Sequence, residues 1–187
     1  MKILPVIIVL ILLFSSSDEI YGQEVDVTKL PGYVDLERIE IPTEAEDITD
    51  INVGSSLLKM AADSKENGDS KLSALLSQIY AVRVKSFEID DETTATLRPH
   101  IEQIQQELES EKWERIVYVK SGDEMVTVSV KHDNEKIAGL MFIAFEPGSE
   151  VVLANIVGDF DLAALTGLVL GFSDGELEEI LEDLDSD

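Results

Sequence analysis

The chain has 187 residues, 14 Lys and Arg against 39 Asp and Glu, a formal net charge of −25, and no cysteine. With 44% hydrophobic and 28% charged residues it has the composition of a globular protein with a core, not of a disordered chain. A surface this acidic repels phosphate backbones, so nucleic acid is not an expected partner. The lack of cysteine excludes disulfides, thiolate zinc sites, cysteine nucleophiles and a lipidated-cysteine anchor.

Met1-Lys2 followed by the uninterrupted apolar run Ile3 to Phe14 and then SSSDE has the tripartite pattern of a signal peptide. The run is too short for a bilayer span, which needs about 18 apolar residues or more, so no stable membrane anchor is expected after cleavage. Cleavage fits after Ser17 or after Gly22; the second is preferred, which makes residues 1–22 the signal peptide and leaves a mature chain of net charge −24.

Residues 23–50 carry nine acids against Lys29 and Arg38, with Pro31 and Pro42 interrupting regular structure. They are expected to form an extended acidic arm that lays Leu30, Tyr33, Val34, Leu36, Ile39 and Ile41 along a sheet edge or into a groove. A single α+β domain is expected over residues 51–172. It opens with a short strand at Ile51–Val53 and a helix capped by Ser55 or Ser56 that runs to about Glu66. Asn67 to Ser70 reads as a turn, and Lys71 to Ile79 places Leu72, Leu75, Leu76 and Ile79 at helical spacing. Tyr80 to Ile89 alternates as a strand with a slip, read as a bulge, at Ser86. Thr96 then caps a helix with Pro99 in its first turn and Leu97, Ile101, Ile104 and Leu108 as its buried stripe.

Four apolar or alternating runs follow, Trp113 to Lys120, Glu124 to Lys131, Lys136 to Phe145 and Glu150 to Val157, joined by SGDE, HDNE and EPGS. Loops this short and this rich in Gly, Asn, Asp and Pro make antiparallel hairpins. The strand at Tyr80 to Ile89, its following helix and the Trp113 strand form a crossover, so those two strands are expected to run parallel within the sheet. Asp161 caps LAALTGLVL, a helix apolar on nearly every side and so expected against the sheet. Residues 173–187 hold eight acids and no base; they read as an acidic amphipathic helix, folded back or partner-binding. The fold class is therefore α+β, a mixed, mainly antiparallel sheet of about five strands with helices packed on one face.

Little in this pattern carries chemistry. His100 and His132 have no metal-ligand spacing, no serine stands in a GxSxG elbow, and no phosphate-binding glycine loop is present. Two carboxylates fall together by chance among 39 acids, so carboxylate pairs are uninformative. Asp183 to Asp187 lacks the glycine and distal glutamate of a calcium loop, Asp159-Phe160-Asp161 fits helix capping, and Trp113 reads as a sheet anchor. No catalytic residue, cofactor-binding residue or metal ligand is assigned, and no cofactor is expected.

The wording of PGYVDLERI, then VGSSLLKMAADSKENGDSKLSALLSQIYAVRVKSFEI, then LESEKWERIVYVKSGDEMVTVSVK and IAGLMFIAFEPGSEVVLANIVGDFDLAALTGL resembles the bacterial envelope family catalogued as domain of unknown function 4252, over roughly Pro31 to Leu168. Its most specific parts are Leu57-Leu58-Lys59, the Arg83 strand, Trp113-Glu114-Arg115, Ile137-Ala138-Gly139-Leu140 and Asn155 to Leu162. Family members commonly have glycine where this chain has Lys112. The resemblance implies an exported α+β domain facing the periplasm and implies no reaction.

The expected function is that of a non-catalytic, exported envelope protein that binds another envelope protein or a small ligand through its sheet face, arm or tail. A periplasmic hydrolase with a carboxylate-based site, which would need a concave pocket with converging polar groups, is the alternative. A structural or adhesive module self-assembling at its strand edges is a third.

Overall fold

The computed structural model describes residues 26–42, 45, 47–63 and 70–160. The expected signal peptide, the turn at 67–69, the apolar helix after Asp161 and the acidic tail helix lie outside the described residues.

Among the described residues the chain order is β1 (Thr49–Gly54), α1 (Ser55–Asp63), α2 (Ser70–Gln78), β2 (Ile79–Glu88), α3 (Asp91–Ser110), β3 (Glu114–Ser121), β4 (Glu124–Asp133), β5 (Lys136–Glu146) and β6 (Glu150–Phe160). The strands form one sheet in the order β1-β2-β6-β5-β4-β3, and every neighbouring pair is antiparallel. This is the α+β architecture read from the sequence, with six strands instead of about five. The four-strand meander stands where the hairpin loops put it, each turn using one residue in the left-handed region: Gly122, Asn134 and Gly148.

Strands β2 and β3 do run in the same direction, but β6, β5 and β4 lie between them. No parallel neighbours result, and the sheet is not mixed. The last strand inserts beside β2 because a two-faced apolar strand such as β6 gains most at the sheet centre, where both its faces are covered.

Alternation along the strands divides the side chains between two faces. On one face Phe87, Met141, Ile143, Phe145, Val151 and Leu153 join Leu97, Ile101, Ile104 and Leu108 of α3. On the other, Val53, Val82 and Val84 join Leu58 and Ala61 of α1 and Leu76 of α2. Helices therefore cover both faces, not one. The reason is legible in β2: its apolar residues change face midway, Val82 and Val84 on one side and Phe87 on the other. That is what resembled a slip at Ser86; the actual register shift lies between Ile79 and Ala81, and Ser86 is a buried ladder residue.

Helix α3 begins earlier than Thr96. Asp90 is its N-cap, its carboxylate accepting from the Thr93 N–H at 2.8 Å, and this bond holds the Asp90 carboxyl below the usual carboxylate range. Pro99 consequently sits inside the helix, not in its first turn. At the other end Trp113 N–H donates to Leu108 O at 2.9 Å and Lys112 N–H to Glu109 O at 3.1 Å. These bonds, with Lys112 at φ 63°, are the Schellman arrangement, whose left-handed position is the one glycine fills without strain.

Candidate functional site

The arm is the first element that brings charged groups onto the sheet. Val34, Leu36 and Ile39 are buried in the same core as α3 and the sheet, so the arm crosses a sheet face beside α3 and does not follow an edge. Gly32 lies so close to Ala138 and Gly139 of β5 that a Cβ on Gly32 would fall inside the Ala138 backbone. Asn155, fully buried in β6, ties down both sides of the crossing. Its Oδ1 accepts from Val34 N–H at 2.9 Å, and its Nδ2 donates to Gly32 O at 3.0 Å and Leu140 O at 3.1 Å.

Next to Asn155, the i, i+2 spacing of β2 projects Arg83 and Lys85 onto this face. Arg83 donates to Tyr33 Oη at 2.6 Å and to Glu37 at 3.2 Å, and its guanidinium lies 5.2 Å from the Tyr33 ring centre. Lys85, 6% exposed along its side chain, donates to Ile39 O at 3.3 Å and reaches Glu37 at 3.5 Å. Farther along, Arg38 pairs with Glu107 of α3. That guanidinium, and then the Gln103 amide, hold the Glu107 carboxyl below its ordinary value. The polar groups on this face thus serve to fasten the arm. Sequence reading found the arm's apolar residues; it named Arg83 and Asn155 only within family-like motifs and gave neither them nor Lys85 a role. Their signal was polar residues in a strand that is otherwise apolar on both faces.

At the opposite end of the sheet, strand β3 pairs among the described residues on one side only, with β4, and Ile116, Val117, Tyr118 and Val119 are 39 to 52% exposed. A bulge between Arg115 and Val117 shifts the alternation. It puts Arg115 on the same side as Tyr118, where its guanidinium lies 5.2 Å from the ring centre. Arg115 also pairs with Glu109. Trp113, at the start of this strand, is buried in the core as expected of a sheet anchor. Its indole N–H has no hydrogen-bond partner among the described residues. Beside it is a hollow of about 10 Å³ lined by Gln105, Thr127 and Ser129 among others, space for about one water.

The two histidines are not brought together. His100 is exposed in the middle of α3. His132, at the end of β4, stands 2.9 Å from Glu114. Asp159 is a strand residue paired with Lys136 at 2.6 Å; Asp161 and the helix it was expected to cap lie outside the described residues. Glu88, Glu150 and Glu146 form a cross-strand row of carboxylates. Burial, then Glu146 and Glu88, push the Glu150 carboxyl above its ordinary value. Among the described residues no cluster of three or more His, Asp or Glu side chains is arranged to hold a metal ion, and no helix is long and apolar enough to cross a membrane.

A family model described as a domain of unknown function, number 4252, matches residues 33–168. No curated protein and no solved structure matches the chain.

Proposed function

The chain belongs to the family of domain of unknown function 4252, and from that premise we propose an exported, non-catalytic protein of the bacterial envelope that binds a protein partner. The observation that carries this reading is the β3 edge: four consecutive apolar or aromatic residues, Ile116 to Val119, stand exposed on a strand whose outer side no described residue pairs with. Unpaired strand edges offer a row of backbone donors and acceptors to another chain. Solvent-facing apolar side chains next to them add contact area that a partner removes from water. On the arm-covered face, by contrast, Arg83, Lys85 and Asn155 are engaged within the chain.

Two measurements test the proposal. Mass analysis of the protein from its native envelope is expected to find Gln23 as the first residue; a chain beginning at Met1 in the cell interior overturns export. Affinity purification from that envelope is expected to recover one stoichiometric partner, lost when Val117 and Val119 are both changed to Asp. Recovery of the same partner by that double variant overturns the β3 edge as the contact.

A further inference from the structure

Resting on the partner-binding reading, we propose that β3 takes up one extended segment of the partner as a seventh strand, and that this segment alternates apolar residues with carboxylates. Three features of the strand define the occupant. The bulge at Arg115–Val117 and the turn at Gly122 leave Val117 to Ser121 as the regular stretch, so the added strand pairs over about five residues, roughly 17 Å. Along that stretch Val117 and Val119 point to one face, sharing it with Val128 and Val126 of β4, whereas Tyr118 and Lys120 point to the other, opposite Thr127 and Met125. An incoming strand therefore meets apolar side chains at alternate positions on one face. On the other it meets an aromatic ring and an ammonium group.

Charge selects the sign of the second set. From Lys112 to Ser121 the chain carries Lys112, Arg115 and Lys120 against Glu114 alone, a cationic stretch in a chain of net charge −25. Arg115 is occupied by Glu109 and Glu114 lies beside His132; Lys120 has no ion pair among the described residues. A carboxylate opposite Lys120 supplies that pair across the strands, where opposite charges favour the match and like charges oppose it. A second copy fits less well. Antiparallel self-pairing about Tyr118 matches Val117 with Val119 but sets Lys120 against Ile116, which leaves the ammonium without a carboxylate across the strands.

The probe is an eight-residue peptide of alternating valine and glutamate, with its lysine-for-glutamate analogue as control, titrated into the purified protein at low and moderate salt. Binding of the glutamate peptide is expected, weakened at least tenfold by Lys120→Glu, by added salt and by the lysine analogue. Amide exchange is expected to slow at 117–121 in its presence. Equal binding of both peptides, protection elsewhere, or a sedimenting dimer abolished by Val119→Lys overturns the proposal. Capture from the envelope separates the two readings. A partner retained by Lys120→Glu but lost with the Val117 and Val119 aspartates overturns the acidic strand while leaving partner binding standing. Recovery of no partner overturns both.

Discussion

Lys112 is the residue whose backbone and chemistry disagree most. At φ 63° its Cβ crowds the following carbonyl, a conformation glycine adopts without penalty. Lys112→Gly is expected to stabilise the protein by about 0.5–1 kcal/mol, the relief of strain being partly offset by the greater freedom of glycine in the unfolded chain; urea denaturation measures it. Glu150 has the opposite kind of mismatch. Its folded-state pKa lies above its ordinary 4.5 because of burial and the neighbouring Glu146 and Glu88. The folded chain therefore holds the proton more tightly than the unfolded one. Stability falls as the pH rises from about 4.5 through the raised value and stays lower beyond it. Glu150→Gln, which keeps the side chain neutral, is expected to leave the melting temperature unchanged near pH 3.5 and to raise it at pH 7, the gap opening across that window. A gap that is the same at both pH values disproves the assignment.

The arm shows how an element lacking regular secondary structure becomes part of a core. Its prolines and acids keep it out of regular structure, while its apolar residues dock as their pattern suggested: Val34, Leu36 and Ile39 are buried, and Asn155 satisfies the Gly32 carbonyl and the Val34 N–H on either side of Tyr33. Gly32→Ala is expected to cost on the order of 2–3 kcal/mol, because a methyl group there must displace either the arm or β5. The measurement is the urea midpoint together with protease cleavage within 30–42, which should quicken as the arm lifts. Lys29→Ala serves as the contrast. Its pair with Asp26 has side chains 81% and 51% exposed, and surface pairs of this kind contribute little, so neither readout should move. Strand β2 makes the same point about elements: its phase change at Lys85 and Ser86 was visible as a pattern, but only the arm on one face and helices α1 and α2 on the other give it meaning.

For the molecule as a whole, a net charge of −25 on 187 residues sets a self-repulsion that salt screens within about 10 Å at 0.1 M. The melting temperature is expected to rise between 10 and 150 mM sodium chloride, most steeply below about 50 mM; no change over that range would mean that the acids are already compensated locally. What the amino-acid order determined by itself was everything set by near neighbours. The hairpin turns fixed the meander, the 3.6-residue stripe of Leu97, Ile101, Ile104 and Leu108 fixed the buried side of α3, and the wording of the motifs fixed the family. Tertiary structure alone decided which strands sit side by side, that helices lie on both faces, and that Arg83, Lys85 and Asn155 clasp the arm while Ile116 to Val119 stay open. Those outcomes depend on residues such as Lys85 and Ile39, 46 positions apart, and Asn155 and Gly32, 123 apart, meeting across a sheet, and a local pattern of polar and apolar side chains carries no record of which distant segment will cover it.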